Sequence, residues 1–228
     1  MIDILAAARQ KRDVADGCTT HVAALPAPFA PAGVQVVQFD SLAPQAACVV
    51  AAPAGALRLA VVLDGMLSCN DGLGGQHRVL GGEAVLLEAA DPVQQTFENE
   101  SSTDTVELVS LYGVGARTSR CVQRYFSDDA RRGRLCPVLT GDGSGDSLQV
   151  DGSLTVSVAS LAAKGSLVVP TPAGHQAAVC AMSGGLSIEG RLLERRALAL
   201  VSGDAPALHL TSEEPAEVMV VLAGPTRE

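Results

Sequence analysis

The chain has 228 residues, of which 47% are hydrophobic and 18% are charged, and its formal net charge is −9. This composition is typical of a globular protein and excludes a disordered chain. The acidic balance argues against nucleic acid and membrane as partners, because nucleic acids and anionic membranes both attract a basic face. Only 3% of the residues are aromatic, so Ala, Val and Leu must fill the core.

The N-terminal segment lacks the pattern of a secretory signal, since no basic residue precedes its apolar stretch. No apolar run reaches the roughly 20 residues that a membrane helix needs. The six cysteines form no C-x-x-C pair, and most of them stand singly in apolar stretches. We therefore expect a cytoplasmic protein with reduced thiols, and we rank disulfides or zinc well below that.

In chain order, residues 1–32 allow a short helix and then a Pro-rich stretch at 25–31, which predicts an irregular arm because proline lacks the backbone donor. Residues 34–39 alternate like a half-buried strand. Residues 46–63 are almost continuously apolar and predict barrel strands divided by a turn. The Asn-Asp-Gly-Leu-Gly-Gly stretch at 70–75 predicts a hairpin, because these residue types tolerate a positive φ.

The character of the chain changes near residue 113. Residues 113–134 carry six of the sixteen basic residues, and a loop rich in Gly and Asp follows. This pattern predicts a connector over 113–147, between an N-terminal barrel over 1–112 that includes the arm and a C-terminal barrel over 148–228. We favour a basic strip that docks the two barrels over a nucleic-acid footprint, because acidic residues can balance the arginines.

Two parts of the chain share one pattern, centred on Gly65 and on Gly185, which are 120 positions apart. In each, a glycine separates two apolar strands, a polar hairpin follows, and two further apolar strands complete the copy. We expect both glycines to lie in hairpin turns where a side chain is poorly tolerated. The repeat predicts an all-β fold made of two small β-barrels.

This pattern resembles the bicupins, and in particular the pirin-like family, from about residue 33 to residue 223. The strand Val61–Gly65 is similar to the family's Tyr-Val-Leu-Glu-Gly. The family's Arg/Phe segment, Asp-rich loop and Ser-Leu-x-Val strand are matched in turn by Gln123–Phe126, Leu139 with Asp142, and Asp146–Val150. The resemblance implies two tandem cupin-type β-barrels.

The resemblance also implies a metal site in the first barrel, where typical pirins bind an iron-like metal through a His-x-His pair, a later His and a Glu. Some relatives cleave flavonols such as quercetin with oxygen. Counted from Gly65, these positions hold no imidazole: they fall at Ala51 and Pro53 (or Ala52 and Ala54 after a one-residue slip), Gln95, and Phe97 or Glu98. Ala and Pro cannot coordinate a metal, so we expect no metal and no cofactor. The alternative is Fe or another divalent transition metal held unconventionally.

Arg58 interrupts the apolar stretch of the first barrel. If its side chain faces inward, it needs an anionic partner, either Glu107 or a ligand carboxylate. We favour an outward, solvated side chain. We also expect Cys48 to be an inert packed thiol.

The four histidines predict no strong site. We expect His21 to be solvated in the arm and His77 to be exposed on its hairpin. His175 and His209 belong to the second barrel and could form half a metal site with Glu189 or Glu194. We favour two separate histidines at the barrel rim.

The sequence thus favours a non-catalytic, small-molecule-binding or regulatory bicupin that has lost its metal. The alternative is a quercetin 2,3-dioxygenase-type enzyme with an unconventional or absent metal site. A small-molecule ligand in the N-terminal barrel is the expected partner, a protein partner stays open, and no catalytic residue is assigned. The predicted pocket residues are Cys48, Arg58, Gln94, Gln95, Phe97 and Glu98, within a wall that includes Val50, Leu57, Leu59, Val61 and Leu87.

Overall fold

The structure is a computed structural model that describes residues 1–6, 10–25, 34–150, 152–202 and 206–224. Most of these residues form β-strands. The strands up to Tyr125 are β1 Ile2–Leu5, β2 Lys11–Ala15, β3 Cys18–Ala24, β4 Val34–Leu42, β5 Ala47–Ala52, β6 Ala56–Asp64, β7 Met66–Asn70, β8 Gln76–Leu80, β9 Glu83–Ala89, β10 Val93–Glu98, β11 Val106–Val114 and β12 Arg120–Tyr125.

The remaining elements include two short helical turns. They are α1 Asp128–Arg131, β13 Cys136–Thr140, a 3-10 turn at Ser144–Asp146, β14 Leu148–Gln149, β15 Leu154–Leu161, β16 Ser166–Pro170, β17 Gln176–Ser183, β18 Leu186–Ile188, β19 Arg191–Leu193, β20 Leu198–Val201, β21 Ala207–Thr211 and β22 Ala216–Ala223. None of the described residues belongs to a helix that is long and apolar enough to cross a membrane.

The chain divides into two compact units. One is Lys11–Tyr125, and the other combines Met1–Gln10 with Phe126–Glu228. The division differs from the sequence-based boundaries at both barrels. The first residues join the second unit because β1 pairs with β20, and the start of the connector joins the first unit because β12 pairs with β9.

Within the described ranges, each unit contains one seven-stranded and one four-stranded sheet. In the first unit the strand orders are β12-β9-β6-β11-β4-β3-β2 and β5-β10-β7-β8. In the second unit they are β1-β20-β17-β22-β15-β13-β14 and β16-β21-β18-β19. The central strands of the two large sheets have the same order: β9, β6, β11 and β4 in the first unit correspond to β20, β17, β22 and β15 in the second. This correspondence confirms the predicted all-β fold of two tandem cupin-type barrels.

The bend between β6 and β7, and the corresponding bend between β17 and β18, each depend on a glycine, and each leads the chain from one sheet of its barrel to the other. Gly65 has a φ of +86°, and a Cβ built there would lie 2.9 Å from Cγ2 of Val106. In the second barrel the equivalent residue is Gly184, with a φ of +67°, rather than Gly185. A Cβ at Gly184 would lie 2.5 Å from the carbonyl oxygen of Pro215. The repeat is therefore correct, but its second glycine is shifted by one residue. The expectation of hairpin turns at these glycines is wrong, because the strands on either side of each belong to different sheets.

The predicted arm and connector contain regular structure. The expected short helix near the N-terminus is strand β1, and β2 and β3 follow it. The Pro-rich stretch lies outside the described residues from residue 26 onwards. In the connector, the Ser127 hydroxyl caps α1 by accepting from the N–H of Ala130 at 3.2 Å.

Connector arginines pair with carboxylates of their own unit, and Arg132 lies 3.4 Å from Asp129. Arg131 donates to Asp128 at 2.5 Å and to Glu217 at 3.0 Å, and Arg120 contacts Glu88. Carboxylates of each unit therefore neutralise part of the positive charge of the connector, as the sequence analysis expected.

Candidate functional site

The centre of the first barrel contains a buried arginine. Arg58 lies on β6 and is only 2% exposed. The expectation of an outward, solvated side chain is therefore wrong. Leu57, Leu59 and Val61 are also buried, but strand alternation places them on the opposite face of β6 from Arg58. These three residues consequently do not share the wall in which the sequence placed them.

Polar and aromatic side chains surround the guanidinium of Arg58. Its Nη1 donates to Oε1 of Gln95 at 3.0 Å, and its Nη2 donates to Oγ of Ser110 at 3.1 Å. The cation lies 4.1 Å from the ring centroid of Phe97 and 5.0 Å from that of Tyr112. Contacts of this kind stabilise a desolvated guanidinium, because the ring faces are electron-rich.

The anionic partner of Arg58 is Asp40 on β4, and not Glu107. Oδ2 of Asp40 lies 3.9 Å from Nη2 of Arg58, and both side chains are 3% exposed. Oδ1 of Asp40 accepts from the Thr20 hydroxyl at 2.7 Å, and the Gln38 amide donates to both carboxylate oxygens at 2.7 and 2.9 Å. Both charges therefore have hydrogen-bond partners, as buried ions require.

The predicted pocket residues separate into two faces. Gln95 and Phe97 are 1% exposed and face the barrel interior, and Gln95 also donates to Sγ of Cys69 at 3.4 Å. Gln94 and Glu98 lie on the exposed face of β10, because successive side chains of a strand point to opposite sides. The interior site thus contains Arg58, Gln95 and Phe97, but not Gln94 or Glu98.

The strand that carries the His-x-His pair in typical pirins also presents no imidazole here. Cys48, Val50 and Ala52 on β5 pack against the core of the first barrel. Ala51 and Pro53 are exposed, as is Ala54. Gln95, opposite Val50 in the β5–β10 register, already accepts the hydrogen bond from Arg58.

A cleft of about 500 Å³ lies beside this buried cluster in the same unit. Strands β2, β3, β4 and β5 contribute its wall. The lining residues are Lys11, Asp13, Ala15, Asp16, Cys18, Thr20, Val22, Gln38, Ala47, Cys48 and Val49. Of the predicted pocket residues, only Cys48 lines this cleft. Thr20 and Gln38 connect the cleft to Asp40, and through it to Arg58.

Cys48 differs from the inert thiol that the sequence favoured. Its side chain is half-buried and lines the cleft. A hydrogen bond from Cys18 lowers the pKa of the Cys48 thiol to about 7, although burial and the charge of Asp40 oppose this effect. The nearby Arg58 cation also lowers the pKa. Cys48 therefore has substantial thiolate character at neutral pH.

The histidines do not assemble the half-site considered for the second barrel. His209 is exposed on β21, and its backbone N–H donates to Oε1 of Glu189 at 2.7 Å. His175 lies in a turn, with Nδ1 3.4 Å from the carbonyl oxygen of Ala173. His21 is half-buried on β3 rather than solvated in a loop, and His77 is half-buried against Asp71 at 3.0 Å.

Several residues of the buried cluster were not predicted from the sequence. Asp40, Ser110 and Thr20 contact the Arg58 network from strands that are distant along the chain. The one usable signal was a charged residue, Asp40, within the half-buried β4 segment, whose other polar residues are uncharged. That signal indicates a buried charge only when the opposing cation is known.

Solved structures show a similar fold over the whole chain. A bacterial pirin from Escherichia coli, YhhW, in complex with nickel(II), has a TM-score of 0.84 at 19% identity, covering 99% of this chain and 100% of that chain. YhaK from Escherichia coli has a TM-score of 0.75 at 17% identity, covering 90% and 94%. A quercetin 2,3-dioxygenase from Acinetobacter baumannii has a TM-score of 0.73 at 14% identity, covering 96% and 85%.

No protein-family model and no curated protein matches the chain. At the identities of the solved structures, the similarity concerns the fold. It agrees with the strand orders of both units and with the resemblance in the sequence. The chain therefore has the tandem cupin fold of the bacterial pirins.

Proposed function

We propose that this chain is a non-catalytic pirin-like bicupin that binds a small polar molecule in the cleft beside Cys48. In this proposal the cation at the centre of the first barrel is the Arg58 guanidinium instead of a metal. The observation that carries the proposal is the buried network of Arg58 with Gln95, Ser110 and Asp40.

The donor set at the family's metal positions does not fit a transition metal. Val50 and Ala52 face the core, Ala51 and Pro53 are exposed, and none of the four offers an imidazole. The only inward donor at those positions is the neutral amide of Gln95. Its oxygen lies 3.0 Å from a guanidinium nitrogen, so a divalent ion there would experience strong like-charge repulsion at low dielectric.

The cleft supports the binding part of the proposal. Its volume falls within the roughly 300–1,000 Å³ typical of small-molecule sites. Hydroxyl, amide and thiol groups of Thr20, Gln38 and Cys48 line it together with one lysine and two aspartates. This mixture suits a small polar molecule that carries both donors and acceptors. A ligand carboxylate paired with Arg58 is disfavoured, because both Nη atoms of Arg58 already donate to neighbouring side chains.

A regulatory role is compatible with the same geometry. Thr20 and Gln38 line the cleft and also donate to Asp40, which neutralises Arg58. A ligand that takes a hydrogen bond from either residue changes the support of the buried charge pair. Binding in the cleft is therefore expected to alter the stability of the first barrel.

Oxygen uptake with quercetin, with and without added Fe²⁺ or Ni²⁺, separates this proposal from the dioxygenase alternative. We expect no uptake above the rate of metal and quercetin alone. Purified protein should also contain well below one equivalent of iron or nickel per chain. Saturable, metal-dependent uptake that is lost in Gln95→Ala would overturn the proposal in favour of the enzyme.

Binding in the cleft is tested with a pair of matched variants. Val49 is 62% exposed and lines the cleft, so Val49→Trp should fill it. Val168 is similarly exposed on β16 of the second barrel, and Val168→Trp is the control. Melting temperatures are measured against small amides, hydroxy acids and amino acids, since a ligand of the folded state raises Tm. At least one class should raise Tm for the wild type and Val168→Trp but not for Val49→Trp. No response, or an equal response of both variants, would contradict binding in this cleft.

A further inference from the structure

A second group of polar side chains in the first barrel consists of Asp71, His77 and Cys121. One ligand atom of each lies within 4.8 Å of those of the other two. Asp71 follows β7, His77 lies on β8, and Cys121 lies on β12. These three residues share none of the hydrogen bonds of the Arg58 network, and the cupin metal positions of the sequence resemblance do not include them.

Strand register directs the histidine and the cysteine toward the same interior. His77 pairs with Cys69, which is fully buried in the core, so both side chains share the inner face of their sheet. Cys121 pairs with Leu87, which is 1% exposed and packs in the same barrel. β8 and β12 are edge strands of the two different sheets. The group therefore spans the gap between two sheet edges.

The carboxylate of Asp71 is already oriented as a ligand would be. Its Oδ1 accepts from the N–H groups of Leu73 and Gly75, both at 2.8 Å. Its Oδ2 is directed at Nε2 of His77, 3.0 Å away. Hydrogen bonds of this kind to a ligating carboxylate fix its direction in metal sites.

Gly75 makes this arrangement possible. A Cβ built at residue 75 would lie 2.4 Å from Oδ2 of Asp71 and 3.1 Å from Nε2 of His77. Only a residue without a side chain allows the backbone to approach both ligand atoms so closely. The hairpin sequence thus creates a preformed oxygen–nitrogen pair with a thiol beside it.

We propose that Asp71, His77 and Cys121 form a binding site for a single divalent zinc-type cation that joins the edges of the two sheets of the first barrel. One carboxylate oxygen, one imidazole nitrogen and one thiolate suit Zn²⁺, which binds all three donor types in tetrahedral sites. A fourth position is left for water. This site is separate from the proposed function, which concerns the cleft and Arg58.

Binding exchanges bonds in a defined way. Oδ2 of Asp71 and Nε2 of His77 give up their mutual hydrogen bond and each bind the cation. The imidazole proton that Nε2 donates to Asp71 moves by solvent exchange to Nδ1, so the ring stays neutral and Nε2 is free to bind. The Cys121 thiol forms a sulfur–zinc bond and releases one proton to the buffer, since the thiolate is the ligand. No electrons are transferred.

Zinc binding to the full chain is measured by competition with a chromophoric chelator after dialysis against a metal-free buffer. Co²⁺ is the spectroscopic probe, because a sulfur-to-cobalt charge-transfer band reports the thiolate and intense visible bands report four-coordination. We expect one equivalent per chain and both signatures. His77→Gln, Asp71→Asn and Cys121→Ser should each weaken affinity by on the order of 100-fold, since losing a ligand costs at least as much as losing an outer-shell partner.

His209→Gln and Cys136→Ser are the matched controls, because they remove an exposed histidine and a buried thiol of the second unit, both outside the group. Both controls should bind like the wild type. Zn²⁺ should also raise the Tm of the wild type and both controls but not of the three ligand variants. His77 is half-buried, so His77→Gln keeps the test valid if Cys121→Ser fails to fold. Absence of stoichiometric binding, or unchanged binding in His77→Gln, would overturn the proposal.

Discussion

The carboxylate of Asp40 and the guanidinium of Arg58 form a charge pair inside the first barrel, with Oδ2 and Nη2 3.9 Å apart. Neither partner tolerates loss of the other, because an uncompensated buried charge is costly. The interior of the first barrel is therefore occupied by a charge pair and its hydrogen-bond partners. Small apolar side chains alone would leave an empty pocket there.

The first prediction is that Asp40→Asn destabilises the protein by about 3 kcal/mol, because the Arg58 cation is then left with neutral partners only. The measurement is the free energy of unfolding from denaturant titration. Arg78→Ala is the control, since the Arg78–Glu100 pair is solvent-exposed and contributes less than about 1 kcal/mol. The double variant Asp40→Leu with Arg58→Met should recover part of the loss. Equal losses in Asp40→Asn and Arg78→Ala would contradict the role of the pair.

The second prediction concerns the glycines at the bends between the two sheets of each barrel. Gly65→Ala and Gly184→Ala should each destabilise the protein by about 1–3 kcal/mol, because both glycines have positive φ and a Cβ would meet neighbouring atoms at 2.9 Å and 2.5 Å respectively. Gly185→Ala should cost clearly less, since its Cβ would have its nearest contact at 3.9 Å. Thermal melting of the three variants tests the order. A larger loss in Gly185→Ala than in Gly184→Ala would show that the turn of the second repeat is misassigned.

The third prediction concerns the reactivity of Cys48. With its pKa at about 7, roughly half of the Cys48 thiol is ionised at pH 7, so iodoacetamide should modify it with a half-maximal rate near this pH. Cys69 and Cys121 should react far more slowly, because burial raises their pKa values to about 11 and about 12. Peptide mass spectrometry after timed alkylation gives the individual rates.

Cys18→Ala provides the control for this pKa. It removes the hydrogen bond that is the largest cause of the lowered value, so the pKa of Cys48 should rise toward the ordinary 8.5 of a cysteine. The thiolate fraction at pH 7, and with it the alkylation rate, then falls by roughly tenfold. An unchanged rate in Cys18→Ala would refute the contribution of that hydrogen bond.

The fold was predictable from the sequence because its signals are local. Turn residues at 70–75, glycines at the bends of the repeat and short apolar strands each act over a few positions. The interior of the site was less predictable. Residues 56–62 of β6 are buried on both faces, so no alternation of polar and apolar residues indicated which way Arg58 points. Its direction depends on Asp40, which lies on a different strand.

Pairings between distant segments explain the remaining differences. Ile4 pairs with Ala199, 195 positions further along the chain, and no local pattern in the first residues indicates such a partner. His77 was correctly placed on its hairpin, but its burial depends on Asp71 and on β12 beyond it. Strand type is thus a property of the segment, whereas strand partner and burial are properties of the assembled unit.

The last prediction follows from that distant strand. Ile2 and Ile4 pack against the core of the second barrel, and β1 covers the edge of β20. Ile4→Asp should therefore destabilise the second unit by about 1.5–3 kcal/mol, because it exposes apolar surface and places a charge against a core.

Val14→Asp is the matched control, since Val14 lies on β2 and is 59% exposed. Hydrogen exchange of amides in β17 and β20 reports the second unit, and exchange in β6 and β9 reports the first. Ile4→Asp should accelerate exchange in the second unit and leave β6 and β9 unchanged. Equal acceleration in both units would show that the N-terminal strand does not belong specifically to the second barrel.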